Sequence, residues 1–293
     1  MKREDTVKEQ AAVQKAASGA RAATKAKARS NVKAVKAAKA AAKGAKASAE
    51  MPMTVNGPTA KKATAGASTA KGESHAEARR RAEAIAALLR ERYPVAECAL
   101  HYGGDAWRLL VMGRLSAQCT DARVNEVAVP LFARYPNAAA MAEADPAELE
   151  AIVRPCGLFR TKARDLILAS RRLLLVYGGR LPDTMDELLT LAGVGRKIAN
   201  LLLGDVFGVS AVVADTHMIR LSGRWGFTPE GKRDPLLVEK TLTPLLSNEN
   251  ASDFCHRAVL FGREVCTARA PACGACELGR AGLCRFSERS RYE

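Results

Sequence analysis

Apolar residues recur at helical spacing through most of the chain, and this pattern constrains its fold class most. From about residue 74 to 260, segments with apolar residues three or four positions apart alternate with short Gly, Pro and Asp breaks. The segments are Trp107 to Gln118, Ala122 to Phe132, Ala147 to Val153, Thr161 to Tyr177, Met185 to Leu191 and Arg196 to Val206. One short apolar run, Val209 to Ala214, has the length of a strand but is more economically a connector. The sequence therefore predicts an all-α protein.

The start of the first helix is marked by a capping signal. Ser74 and Glu77 form a Ser-x-x-Glu capping box, in which each side chain accepts a hydrogen bond from the backbone N–H of the other residue. Ile85 and Leu89 follow on the apolar side of that helix, and Pro94 ends it. The folded part is therefore predicted to begin at residue 74.

Residues 1–73 have a different composition from the rest of the chain. They are rich in Ala and Lys, contain no aromatic residue and have almost no large aliphatic side chains. Such a segment buries too little apolar surface to offset the entropy of ordering it. We predict a disordered basic tail, which is either an arm that raises general DNA affinity or a dispensable extension.

The charge of the chain restricts its partners. The formal net charge is +15, which favours a polyanion: nucleic acid first, an anionic membrane second. No apolar run of about 18 residues is present to span a bilayer, and no signal-peptide core follows the start. We expect a cytoplasmic, nucleoid-associated monomer, in which the eight cysteines stay reduced and act as metal ligands or buried apolar residues.

A glycine-containing hairpin is predicted within residues 185–204. One helix ends near Leu191, Gly193 and Gly195 permit a tight turn, and a second helix begins at Arg196. The unsatisfied N–H groups at the start of that second helix can donate to phosphate oxygens, which the glycines allow to approach closely. A Gly-x-Gly between helices is also common in ordinary turns. The tripeptide alone therefore does not distinguish a phosphate-binding hairpin from an ordinary turn.

Two residues near this hairpin are candidates for chemistry. Lys197 lies in the first helical turn, where the helix dipole disfavours the protonated amine, and a neutral amine is a nucleophile. Asp215 follows eighteen residues later and can activate an amine or water and stabilise a cationic transition state. Each residue also has a simpler interpretation, Lys197 as a phosphate-binding surface lysine and Asp215 as the N-cap of a following helix.

Together these motifs resemble one known family. Leu-x-Gly-Val-Gly-Arg-Lys followed by Val-x-Asp-Thr-His is similar to endonuclease III of the helix-hairpin-helix glycosylases, and the similarity runs from about residue 80 to 286. The resemblance implies that Lys197 attacks the sugar C1′ of a damaged nucleotide and that Asp215 assists. It also implies a structural role for His217. The family usually has Pro where this chain has Ala192, which loosens the turn.

Four cysteines near the C-terminus form the second strong motif: Cys266, Cys273, Cys276 and Cys284. Their spacing suits either zinc or an iron–sulfur cluster and does not separate the two. The resemblance implies a [4Fe–4S] cluster, with structural zinc as the alternative, although the last arm here is two residues longer than in the family. It further implies that Arg269 faces DNA phosphate, while Ala270 and Ala272 stand where family loops are often basic.

A third segment, Leu115-Ser-Ala-Gln-Cys-Thr-Asp121, also resembles the family. An enzyme that attacks C1′ must flip the nucleotide out of the duplex and fill the gap. The resemblance implies that Gln118 fills this gap and that Leu158 wedges the opposite strand. Without the resemblance, Gln118 is interpreted as a polar residue at a helix end and Leu158 as a core residue.

The implied architecture is two helical lobes with a DNA groove between them. One lobe is a helical barrel over 99–210 that holds the hairpin, and the other combines 74–98 with 211–293 and holds the cluster. The implied activity is a bifunctional DNA glycosylase and abasic-site lyase of base excision repair, acting on oxidised pyrimidines in double-stranded DNA. Two alternatives are an adenine-mismatch glycosylase, which generally lacks the lysine and adds a C-terminal domain, and a non-catalytic DNA-binding protein.

Overall fold

A computed structural model describes residues 73–286 of the chain. This part contains twelve α-helices, two 3₁₀ turns and no strand, as the helical periodicity predicts. The helices are α1 (His75–Arg92), α2 (Ala106–Leu115), α3 (Asp121–Arg134), α4 (Ala138–Ala142), α5 (Pro146–Val153), α6 (Phe159–Tyr177), α7 (Met185–Leu188), α8 (Arg196–Asp205), α9 (Thr216–Trp225), α10 (Pro235–Leu245), α11 (Ala251–Glu264) and α12 (Glu277–Arg280). The 3₁₀ turns are Arg154–Cys156 and Cys273–Ala275.

The helix starts follow from side chains that cap them. Ser74 and Glu77 form the predicted capping box of α1, with the Ser74 N–H donating to Glu77 Oε2 at 2.8 Å. Asp215 caps α9, and the connector before it has no regular structure, as predicted for 209–214. Most of the remaining helix starts also carry an Asp, Asn or Thr cap, which satisfies N–H groups that the helix cannot satisfy itself.

Two helix ends differ from the sequence expectation. Helix α2 ends at Leu115 rather than at Gln118, because Gln118 adopts a left-handed backbone with φ 55°. Helix α7 ends at Leu188, and the chain then turns through Leu191 before the hairpin. Both differences lie beside residues that are predicted to contact DNA. In each case turns take the place of the last residues that the sequence predicts to be helical.

The helices pack mainly as two groups, which form the two lobes. Helices α2 to α8 pack among themselves, while α1 packs on α10, α11 and α12, and α9 packs on α10 and α11. Helix α8 contacts α11 and so joins the groups. The precise domain limits, 99–210 and 74–98 with 211–293, stay a prediction.

Arg81 connects the first described helix to the end of the described chain. Its guanidinium pairs with Glu73 at 2.7 Å and donates to the backbone oxygens of Trp225 and Leu283. Glu73, which the sequence assigns to the tail, therefore belongs to the folded part. The remainder of the predicted tail, residues 1–72, lies outside the described residues.

Within residues 73–286, no helix has both the length and the apolarity that crossing a bilayer requires.

Candidate active site and DNA interface

The predicted hairpin is formed by α7, the turn after it and α8. Gly193 has a left-handed backbone, φ 75°, and a Cβ there would overlap the Arg114 side chain. Gly195 is extended, and a Cβ there would meet open space. Glycine thus has a different role at each position. Gly193 is required by the backbone of the turn, whereas Gly195 leaves room for a partner at the start of α8.

The start of α8 is suited to binding an anion. Gly195 is its N-cap and has no side chain to accept the first helical N–H groups. Gly193, Gly195, Arg196 and Lys197 are all exposed at this end. The backbone therefore presents N–H donors at the positive end of the helix dipole, where phosphate oxygens bind.

A buried ion pair packs against the turn of the hairpin. Arg114, near the end of α2, pairs with Asp165 of α6 at 2.8 Å, and Gly193 lies against both side chains. Both side chains are largely buried, about one tenth exposed, so the pair is shielded from solvent. Sequence reasoning missed this pair, because its members are 51 residues apart and neither belongs to a motif.

Lys197 and Asp215 line one cleft of about 620 Å³ between the two groups of helices. Its other walls come from the segment at Glu97 to Leu100, from Ser116 and Asp121, and from α11. The structure thus brings together the two residues that the sequence singled out for chemistry.

Asp215 is both a helix cap and a cleft residue. Its Oδ1 accepts a hydrogen bond from the N–H of Met218 at 2.7 Å. Asp215 is therefore the N-cap of α9, as the simpler interpretation predicts. The carboxylate is only half-buried, and its Oδ2 makes no hydrogen bond within residues 73–286. One oxygen therefore holds the carboxylate in place, and the other is left to face a ligand.

Lys197 and Arg196 are neighbours with different surroundings. The Arg196 guanidinium pairs with Glu239, with Nε donating to Oε2 at 3.0 Å. The exposed Lys197 amine has no carboxylate partner in the described part of the chain. Of the two predicted contacts, Arg196 is thus already engaged within the protein, whereas the Lys197 amine is available to a ligand.

Sequence reasoning missed a polar cluster at the rear of the same cleft. His256 lines the cleft, and its Nε2 lies 2.8 Å from Asp205 Oδ1 at the end of α8. Cys98 lies beside them, and burial raises the pKa of its thiol to about 12. A protonated thiol does not compete with an amine as nucleophile. No sequence signal joins these residues, since they come from three distant segments.

Gln118 and Leu158 share an unusual backbone. They are the non-glycine residues with positive φ between 73 and 286, at 55° and 47°. Both side chains are exposed, and Leu158 is 53% exposed. The interpretation of Leu158 as a core residue is therefore wrong. Strained and exposed positions of this kind are typical of residues held ready for a partner.

The four C-terminal cysteines border one apolar cavity of about 290 Å³ with Trp225, Phe261 and Phe286 among its walls. No three His, Cys, Asp or Glu side chains in the described residues are arranged to hold a metal ion. Helix α12 lies within the longer last arm, and Cys284 still returns to the cavity. All four predicted ligands are thus brought together.

Arginines hold the cysteine loop on α9. Arg224 Nη1 donates to Cys266 Sγ at 3.1 Å and to the Thr267 oxygen at 2.7 Å. Burial raises the pKa of Cys266, Cys273 and Cys276. Burial therefore disfavours the thiolate form of these residues unless a cation lies beside them, as the Arg224 guanidinium does for Cys266.

Arg269 and His217 are two further residues that the sequence singled out. Arg269 is exposed on the cysteine loop, where it can meet a polyanion. His217 lies near Arg220, whose Nη2 is 3.2 Å from its Nδ1 and also donates to the Gly262 oxygen. Burial lowers the pKa of His217, so its ring is neutral near neutral pH. These contacts are those of a structural residue.

Comparisons with known proteins show the family of the chain. Residues 111–247 match the model for the HhH-GPD superfamily of base excision DNA repair proteins. Endonuclease III of Synechocystis sp. is 43% identical over 213 residues, which cover 72% of this chain and 95% of that protein.

Solved structures give the same result. The chain is similar to a non-covalent endonuclease III–DNA complex, with 37% identity, a TM-score of 0.68, and coverage of 73% of this chain and 99% of that one. It is also similar to a trapped covalent endonuclease III–DNA intermediate, with 37% identity, a TM-score of 0.67, and coverage of 73% and 98%.

Proposed function

Because the chain belongs to the endonuclease III family of base excision repair enzymes, it is a bifunctional DNA glycosylase and abasic-site lyase, and we propose that Lys197 and Asp215 carry its chemistry. The observation behind this proposal is that both residues line one cleft, with Lys197 in the first turn of α8, whose N-terminal N–H groups no side chain caps. Damaged DNA is the partner of the enzyme.

The proposed reaction begins with the Lys197 amine. Its lone pair attacks the sugar C1′, the bond from C1′ to the base breaks, and the base leaves with the bonding electrons and a proton. The C1′–O4′ bond then breaks and O4′ takes a proton, which opens the sugar ring, while the nitrogen loses its remaining exchangeable proton and the C1′=N Schiff base forms. Removal of a C2′ proton then lets the C3′–O bond break, which releases the 3′ phosphate and nicks the strand.

Asp215 is suited to assist because of its two oxygens. Oδ1 is held by the Met218 N–H, and this bond fixes the direction of the carboxylate. Oδ2 can accept a proton from the Lys197 ammonium, and the negative charge stabilises positive charge that develops on the sugar. Neither role needs a second acidic residue.

The substrate class follows from the base that must be reached. We propose oxidised pyrimidines and abasic sites in double-stranded DNA, with Gln118 filling the gap and Leu158 wedging the opposite strand. Gly193, Gly195, Arg196 and Arg269 would contact phosphates. For Arg196 this contact requires release from Glu239. The substrate would place the enzyme on nucleoid DNA.

We propose that the four cysteines hold an iron–sulfur cluster. They border one cavity, and the family resemblance favours a cluster over structural zinc. Cys266, Cys273, Cys276 and Cys284 would hold a [4Fe–4S] group, which when bound would fix the shape of their loop. The loop carries Arg269 and is held by Arg224, so the expected contribution is to the DNA-binding surface rather than to redox chemistry.

Purified protein is expected to be yellow-brown and to contain about four iron and four sulfide ions per chain. Cys273→Ser should be colourless and poorly folded, because one arm of the loop loses its anchor. Cys119→Ser, which alters a cysteine outside the set, serves as the control and should keep the colour. Colourless wild-type protein with stoichiometric zinc would refute the cluster, and a full cluster in Cys284→Ser would refute the fourth ligand only.

Borohydride trapping tests the proposed function. Wild-type protein is incubated with a duplex that carries thymine glycol or an abasic site, and borohydride is added. We expect a covalent protein–DNA product that survives denaturing electrophoresis, because reduction fixes the Schiff base of an amine nucleophile. Base release without such a product would indicate a monofunctional glycosylase of the adenine-mismatch type. Binding without base release or strand cleavage would indicate a non-catalytic protein.

A further inference from the structure

Lys162 is a lysine without exposed surface. It lies in α6, its relative exposure is 0%, and its Nζ donates to the backbone oxygens of Leu115 and Cys156, both at 2.8 Å. Lysine is among the residue types that are almost never fully buried without a partner. A buried ammonium at this place therefore calls for an explanation beyond packing.

The surroundings of Lys162 make its charge costly. No carboxylate pairs with Lys162 in the described range 73–286. Burial lowers the pKa of its ammonium, although the nearby Cys156 and Cys119 act in the opposite direction. Leu or Met would fill the same space without a charge to desolvate. What the lysine adds is a pair of strong hydrogen bonds to two backbone oxygens.

Those two oxygens belong to the bases of the two loops that carry Gln118 and Leu158. Leu115 is the last residue of α2, three positions before Gln118. Cys156 ends the first 3₁₀ turn, two positions before Leu158. Gln118 and Leu158 are also the described non-glycine residues in the left-handed region, which persists only where the surroundings hold it. One ammonium thus bonds to the stems of both strained loops.

We propose that Lys162 is a positioning residue that couples these two loops, so that Gln118 and Leu158 enter the duplex as one unit. This rests on the proposed function, which gives the two side chains their places in DNA. Filling the gap without wedging the opposite strand, or the reverse, leaves the flipped nucleotide free to return. A shared anchor keeps the two tips at a fixed separation, which single flexible loops do not.

The test compares Lys162→Met with Arg171→Met. Met keeps most of the length of the side chain and removes the donors. Arg171 lies on the same helix and donates to the Ala142 oxygen at 2.8 Å, away from both loops, so its replacement is a matched control. Each variant is assayed by single-turnover excision of a paired thymine glycol and by strand cleavage at an abasic site in single-stranded DNA, which requires no flipping.

Lys162→Met should slow excision of the paired lesion by about tenfold or more, while cleavage of single-stranded DNA stays within about twofold. Arg171→Met should change neither rate. Equal losses on both substrates for Lys162→Met would overturn the proposal, because they would indicate a general structural role.

A second measurement uses only exposed positions and does not depend on Lys162→Met folding. Gln118→Ala, Leu158→Ala and the double variant are compared by the fluorescence of 2-aminopurine placed opposite an abasic site. Because the loops act as one unit, each single variant should lose nearly as much of the signal as the double variant. Independent, additive losses would overturn the coupling. This signal requires no bond breaking, so it distinguishes failure of the coupling from failure of the proposed chemistry.

Discussion

Lys197→Gln is expected to abolish strand cleavage and borohydride trapping while leaving affinity for an abasic-site duplex within about tenfold, the scale of one lost phosphate contact. Gln keeps much of the length and polarity of the side chain but cannot form a Schiff base. Because Lys197 is exposed at the start of α8 and makes no ion pair with described residues, its replacement should leave the fold intact.

Arg196→Gln is the matched control for this experiment. It removes a cation from the same helical turn, but one that is paired with Glu239 and does not line the 620 Å³ cleft. Trapping should survive in Arg196→Gln and be lost in Lys197→Gln. If Lys197→Gln still cleaves and still traps, the nucleophile is another residue and the assignment of this site is wrong.

Asp215→Asn is expected to slow base excision by about a hundredfold or more, while the free energy of unfolding changes by less than about 1 kcal/mol. Asn keeps an oxygen that accepts the Met218 N–H, so the start of α9 stays capped. It removes the charge and the proton-accepting oxygen. The rate is measured under single-turnover conditions, and stability by chemical unfolding.

Asp145→Asn separates the two roles of such a residue. Asp145 is an exposed N-cap of α5 that accepts the Glu148 N–H at 2.9 Å and does not line the cleft. Its replacement should affect stability as little as that of Asp215 and leave the excision rate unchanged. Loss of stability without loss of activity in Asp215→Asn would mean that the helix cap is the whole role of Asp215.

Local signals in the sequence predicted much of the fold, because they act over a few residues. The Ser74 and Glu77 capping box places the start of α1, and the apolar period places α6 and α8 to within two residues. Gln118 shows the limit of such signals. Its backbone leaves the helix for a left-handed turn, although its spacing continues the helical pattern.

The candidate site was predicted only where residues belong to motifs. Lys197 and Asp215 were found because a hairpin precedes one and a short signature surrounds the other. His256 and Lys162 were not, since their roles depend on partners that only the fold brings near, Asp205 for one and two backbone oxygens for the other. Burial of a lone lysine cannot be read from a helix pattern.

The hydrogen bonds that Arg81 makes to the backbone of Trp225 and Leu283 limit when helix α1 can dock during synthesis. These two carbonyl partners of Arg81 lie 144 and 202 residues further along the chain. Synthesis proceeds from the N-terminus, so α1 leaves the ribosome long before either partner exists. Helix α1 therefore cannot form these contacts until α10, α11 and the segment around Leu283 have been synthesised. Emergence of the segments around Trp225 and Leu283, rather than of the first helix, sets the moment at which Arg81 can form these bonds.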